Sequence, residues 1–467
     1  MILLKDKIKA RLGPLWWYSL VLFCVQRLGD AINIVTGLWL VPKYVPQEEL
    51  GAVLPLAQVG GVLGVPLAIL LLPFGKFLNV YAAQGELGKV KSLLRDVFLL
   101  AAVFGIGITV GARYLMPLVF ERMRVQDGML TWLIVLTGVT SSLTPLFSQA
   151  LQGLKRFRQL SLLGVLSAPV RLVVLLFALP IRGLSGYFVG QLASDGFSIL
   201  FSLASLRALF SRKIKSLPYL QHWPEIVLYT LPFAVMTLSG RIQGAAEFFV
   251  IRHRLPDVES AAYYFITRFA EIPICLWGAI SIVFFPLISE RHEKGAKVFS
   301  LFRQSMGFVL LGGGLVALAL HVVAPYVFSS VSAWSQYVPY ASLMGVASAT
   351  CVARAAFSCF ITYEMACRRF SFVVYTSAFY VIEAAVLYGV SGIAFFGNVL
   401  SPGVISAIQA ANLMRLEAVV WVILGFSVML LLFAFGTMSL GKDCDPDELG
   451  KKTNRHGELE GQLVSFN

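Results

Sequence analysis

Val41–Ala52 reads VPKYVPQEELGA, and Ile251–Ala262 reads IRHRLPDVESAA. At a shift of 210 residues Pro46 meets Pro256, Glu49 meets Glu259 and Ala52 meets Ala262. Further along, SLLR (Ser92–Arg95) answers SLFR (Ser300–Arg303) at a shift of 208, and Arg156-Phe157 answers Arg369-Phe370 at 213. Three matches at nearly constant shift, each in an equivalent position between apolar stretches, mark a duplicated unit.

Apolar stretches of spanning length lie at about 15–40, 51–75, 97–120, 129–151, 161–181, 186–206, 226–251, 261–289, 304–328, 337–361, 371–396 and 403–438. Each reaches the roughly 20 residues a helix needs to cross a bilayer. That gives twelve spans, six per unit, with the fifth and sixth forming a tight hairpin around Arg182-Gly183. An even-numbered unit repeats in the same orientation, so two six-helix bundles face each other across a central cavity along the membrane normal. The expected domains are residues 1–215, residues 216–438 and a polar, disordered cytoplasmic tail at 439–467, where apolar periodicity stops.

Composition agrees. Of 467 residues 58% are hydrophobic and only 13% charged, with mean hydropathy +0.78. Soluble domains carry about 25% charged residues, so a water-soluble globule is excluded. The first apolar stretch is too long for a cleavable leader and long enough to span. Cys24, Cys275, Cys351, Cys359, Cys367 and Cys444 show neither a CxxC nor a Cys/His grouping, so a metal or disulfide framework is not expected.

Lys and Arg are unequally shared between the two sides. The N-terminus, the even-numbered loops and the tail hold 25 of them, whereas the opposite loops hold six: Lys43, Arg122, Arg124, Arg182, Arg252 and Arg254. Both termini are therefore expected in the cytoplasm. This asymmetry accounts for the net charge of +13 without a nucleic-acid partner.

Seven basic residues remain inside spans, and all are arginine: Arg27, Arg113, Arg171, Arg241, Arg268, Arg354 and Arg415. The intramembrane acids are Asp30, Asp195, Glu247, Glu271, Glu383 and Glu417. Unpaired at the bilayer centre, each costs at least ~2.5–3.5 kcal/mol, so each is expected to face a partner or a cavity. Arg27 with Asp30 and Arg268 with Glu271 are spaced i, i+3, which places them on one helical face. Arg113 lies near a span end and can snorkel. Prolines 66, 169, 232, 273 and 286 and Gly312–Gly314 are candidate bends.

KYVPQEELG (Lys43–Gly51), FLNVYAAQGELGKVKSLLRD (Phe77–Asp96), QALQGLKRFRQLS (Gln149–Ser161) and LPDVESAAYYFITRFAEIPICLWGAISIVFFPLISE (Leu255–Glu290) come in an order along the chain that carries a resemblance. Together they resemble the polysaccharide exporters of the multidrug/oligosaccharidyl-lipid/polysaccharide (MOP) flippase superfamily. The resemblance covers residues 15–436. It implies an all-α membrane protein with a MATE-like fold of twelve helices, located in the inner membrane. Its implied activity is flipping an undecaprenyl-diphosphate-linked oligosaccharide for O-antigen, lipopolysaccharide, capsule or exopolysaccharide assembly, beside other polysaccharide-assembly proteins. The related lipid II flippases usually carry fourteen spans, and they place cavity-facing arginines in their first and eighth spans. That assigns the diphosphate to Arg27 and Arg268, with Arg241 and Arg354 added on depth alone. Asp30, Glu247 and Glu383 are the candidates for ion coupling, and the pattern fits proton, sodium or membrane-potential drive equally. No cofactor is expected.

Two alternatives compete. A drug/cation antiporter of the same superfamily would favour a cation-selective cavity, whereas seven arginines against six acids favour an anion. A membrane-embedded polymerase or ligase would need a sizeable outer loop with catalytic groups. The longest such loop here is about ten residues, too short for that role.

Overall fold

The computed structural model describes residues 27–70, 84–125, 127–154, 156–207, 223–274, 298–367, 372–390 and 416–440, with a few single positions between them. The tail, Arg415, Pro286 and the first 26 residues lie outside this set. Every regular element among the described residues is helical.

The described residues fall into twelve helical segments in chain order, and six helices among them are long and apolar enough to cross a membrane. α1 covers 27–44 and contains a π-helical segment, Thr36–Leu40. α2 is broken at Gly64 into Val53–Leu63 and Val65–Ile69, with Pro66 in the first turn of the second piece. α3 is Leu87–Met123 and α4 is Gly128–Gly153, whose first turn is capped by the Asp127 carboxylate accepting from the Met129 N–H at 2.9 Å. α5 (157–182) and α6 (184–206) form one helical run interrupted at Gly183, where φ +49° and ψ −121° reverse the chain as the sequence predicts. α7 is Trp223–Arg254, α8 Asp257–Ala270, α9 Phe299–Ser330, α10 Leu343–Ala366, α11 Phe372–Val390 and α12 Leu416–Leu440. Apolar side chains such as Leu99, Val103, Ile106 and Leu311 stay exposed along α3 and α9, as a lipid-facing surface requires.

The buried side chains form three separate clusters, and their placement describes the shape of the molecule. One joins both halves at the loop ends poor in Lys and Arg; it includes Val45, Leu50, Met123, Leu184, Ile251, Leu255, Ala261 and Phe328. A second belongs to the opposite ends of the first half, around Phe74, Leu94, Phe147 and Leu206. The third belongs to the opposite ends of the second half, around Phe302, Phe357, Phe360 and Phe372. Among the described residues the halves thus share one core on the side expected to face outward, and the clusters on the basic side are separate.

Polar contacts lock the shared end. Arg252, 2% exposed, donates from Nε to the Met123 carbonyl at 3.1 Å, from Nη2 to the Glu48 carbonyl at 2.7 Å and from Nη1 to Asp257 at 2.6 Å. Arg124 reaches the same Asp257 at 3.2 Å. One guanidinium therefore ties α7 and α8 to two segments of the first half. Gly51 completes the seam: a Cβ there would stand 2.6 Å from the Ser260 Cβ and 3.0 Å from its carbonyl carbon. A side chain at residue 51 must push α8 away. We expect Gly51→Val to open this seam, raising labelling of an Ala261→Cys reporter by a membrane-impermeant maleimide at least about tenfold, since Ala261 is 0% exposed in the closed form. Unchanged labelling would show that the seam tolerates the bulk.

Topology has its own test. Thiol reagents added from outside should reach cysteines placed at Gln47, Asp127, Asp257 and Gln336 and miss those placed in the basic loops.

Candidate functional site

α1, α5, α6 and α8 converge where the halves meet. The helical geometry of α8 puts Tyr264 and Arg268 four residues apart on one face, and Arg268 Cζ lies 5.5 Å from the Tyr264 ring centre. The Tyr264 hydroxyl donates to the Gly37 carbonyl at 2.8 Å, which docks α8 against the π-helical segment of α1. Such π segments widen the helix and expose carbonyls, and they recur at functional sites.

Arg268 donates from Nη1 to Glu271 at 3.0 Å and from Nη2 to the Tyr187 hydroxyl of α6 at 3.1 Å. Arg171 of α5 joins this assembly, its Cζ 5.2 Å from the Tyr187 ring centre, and donates from Nη1 to Asn33 Oδ1 of α1 at 3.2 Å. Two guanidinium groups thus flank one tyrosine, one from each half of the chain. The Nε groups of Arg171 and Arg268 are buried and lack a hydrogen-bond acceptor. A buried donor without an acceptor costs roughly 1–3 kcal/mol, so the site as built favours an acceptor-rich anion.

Arg27 pairs with Asp30 at 3.0 Å, the i, i+3 contact that the spacing predicts. It lies ten residues before Gly37, about 15 Å along α1 at 1.5 Å per residue. Arg27 is therefore a step closer to the basic side than Arg268, and the three arginines form a ladder along α1 and not a single clamp. Asn33 and Tyr187 complete this ladder. Sequence reading placed Arg171 in the membrane but gave it no role, because its partners come from other helices.

Arg354 occupies a different environment, inside the second half. Its Nη2 donates to Glu247 Oε2 and Glu383 Oε1, both at 3.1 Å, and its Nε donates to the Ser427 hydroxyl at 3.2 Å. Gln243 donates to the same two carboxylates at 3.3 and 3.0 Å, and the Tyr263 hydroxyl donates to Glu247. Five helices, α7, α8, α10, α11 and α12, are joined by this network. Its two carboxylates outnumber its one guanidinium.

Arg241 is exposed on α7 and lines a cavity with its guanidinium beside Gly61 of α2, and among the described residues it has no carboxylate partner. Arg113 is exposed on α3. Asp195 is buried on α6, where it accepts from Ser141 at 2.9 Å, Gln191 at 3.2 Å and Thr140 at 3.4 Å.

No family model matches the sequence, and no curated protein is significantly similar to it. Solved structures do match. A multidrug resistance MATE family transporter of the MOP superfamily in its inward-facing conformation aligns over 90% of this chain and 98% of its own, with TM-score 0.60 and 13% identity. The outward-facing conformation of such a transporter aligns over 90% and 94%, with TM-score 0.61 and 12% identity. A Vibrio cholerae MATE transporter aligns over 90% and 95%, with TM-score 0.55 and 12% identity. The fold is that of these twelve-helix proteins, as the sequence leads one to expect.

Proposed function

We propose that the chain is an alternating-access flippase that moves a polyprenyl-diphosphate-linked oligosaccharide across the cytoplasmic membrane for cell-surface polysaccharide assembly. The observation that carries this reading is the pair Arg171 and Arg268 around Tyr187, held between the two halves with donors left over. Guanidinium groups keep their proton when buried and present planar forks suited to phosphate oxygens. The ladder from Arg27 through Arg171 to Arg268 offers a diphosphate successive partners as it enters from the basic side. Sugars need only hydroxyl contacts beside it.

The shared outer core and the Arg252 seam supply the closed gate. Translocation then consists of breaking that seam while the two inner cores come together. Asp30, Glu247 and Glu383 are the groups through which an ion gradient would act. Of these, the Glu247–Glu383 pair has the chemistry for it, because a proton or cation there neutralises the surplus carboxylate.

The competing reading, a drug/cation antiporter, draws on the multidrug transporters among the structural neighbours. Reconstitution separates the two. Proteoliposomes containing the chain should flip a fluorescent polyprenyl-diphosphate glycan and leave an organic cation such as ethidium where it is. Cation transport without lipid flipping would select the antiporter.

A further inference from the structure

A cavity of about 230 Å³ lies between α2, α4, α6 and α7. Its wall combines Arg241 from α7, Thr137, Ser141 and Ser142 from α4, and Tyr187 and Gln191 from α6. The volume is below the roughly 300–1,000 Å³ of pockets for drug-sized ligands, which suits a single ring.

The wall is chemically divided. Ser142 donates to the Gly138 carbonyl at 2.8 Å, and the single Ser141 proton is shared between the Thr137 carbonyl at 2.5 Å and the Asp195 carboxylate at 2.9 Å, so both hydroxyl oxygens remain acceptors. Thr137 differs. It is 8% exposed, and among the described residues its hydroxyl has no hydrogen-bond partner. Arg241, near the middle of α7, supplies a full positive charge, and among the described residues no carboxylate lines the cavity. Asp195 stands behind the wall, its oxygens engaged by Ser141, Thr140 and Gln191.

Acceptors on one side, a free hydroxyl donor and a single planar guanidinium match a hydroxylated ring that brings its own negative charge. A planar guanidinium fork pairs bidentately with a carboxylate, as it does with a phosphate. Tyr187 links this cavity to the arginine ladder, because its ring lines the cavity while its hydroxyl accepts from Arg268 at 3.1 Å. We propose that the cavity is a subsite for a carboxylated sugar, of the uronic-acid type, adjoining the diphosphate of the transported lipid. The placement next to a diphosphate rests on the flippase reading above; the affinity for a carboxylated sugar does not.

The test has two arms. In the first, radiolabelled methyl β-glucuronide is bound to the full chain in lipid nanodiscs and competed with unlabelled methyl β-glucuronide or methyl β-glucoside. The glucuronide should compete at least about tenfold better. Arg241→Gln should erase that advantage, Arg241→Lys should keep part of it, and Thr137→Val should weaken glucuronide binding about three- to fivefold. Equal competition by the two glycosides in the unmodified chain, or an unchanged preference in Arg241→Gln, overturns the subsite. In the second arm, flipping rates are compared for two polyprenyl-diphosphate disaccharides that differ only in a glucuronate or a glucose. Faster movement of the acidic lipid, lost in Arg241→Gln, supports the subsite; equal rates overturn it and leave the flippase reading standing. Glucuronide binding that depends on Arg241, with neither lipid moving, keeps the subsite and overturns the flippase reading.

Discussion

Arg268→Ala is expected to lower flipping of a polyprenyl-diphosphate glycan by about 10- to 100-fold while the protein still inserts at normal level. A charge-assisted hydrogen bond contributes roughly 1.5–3 kcal/mol, and each 1.4 kcal/mol is a factor of ten. Arg268 also positions Tyr187, so its loss loosens the stacking partner of Arg171. Arg268→Lys restores the charge without the planar fork and should recover only part of the rate. Arg171→Ala should reproduce the defect, and the double variant should fall short of the product of the two single losses, because both act through one tyrosine. Glu271 provides the control. If Arg268 serves only the ion pair at 3.0 Å, Glu271→Gln would be as damaging as Arg268→Ala. Under the proposed role it is milder, since the guanidinium retains Tyr187 and its substrate.

The second large effect falls on folding. Arg354→Ala leaves Glu247 and Glu383, each side chain 5% exposed, facing one another without their shared cation. Arg354 itself is 37% exposed, so its removal costs less than the full penalty of a buried pair, about 1–3 kcal/mol for two buried carboxylates left without their charged partner, still a sizeable share of the total stability of a domain. The variant should accumulate poorly and melt at lower temperature in detergent. Adding Glu247→Gln and Glu383→Gln to Arg354→Ala removes the uncompensated charge and should restore abundance. Abundance without transport in that triple variant would place ion coupling in the network. Full transport would make the network structural.

The helical fold and the hairpin at Gly183 were readable because each depends on residues close in sequence or on hydropathy alone. The same holds for Arg27 with Asp30 and Arg268 with Glu271: an i, i+3 spacing brings them together whatever surrounds the helix. Arg354 was read as a charge at depth, and its partners lie 107 and 29 residues away, on helices whose rotation about their own axes no local pattern records. Arg252 was counted as a loop charge, yet it is almost wholly buried, because the carbonyls it bonds belong to chain segments 129 and 204 residues earlier. Tyr187, Asn33 and Gln243 carried no signal at all. Polar uncharged side chains are common in membrane helices, and only the packing of neighbouring helices turns one into a ligand for a charged group.

The diphosphate can be isolated from every other part of the lipid in one comparison. Proteoliposomes holding the full chain are given the same glycan linked to the same polyprenol through either a diphosphate or a monophosphate, and flipping is followed by loss of accessibility to a membrane-impermeant reagent. If Arg171 and Arg268 hold the diphosphate, the diphosphate lipid moves at least about tenfold faster, and Arg268→Ala reduces that ratio toward one. Equal rates for the two lipids in the unmodified chain, or a ratio that survives Arg268→Ala, would contradict it.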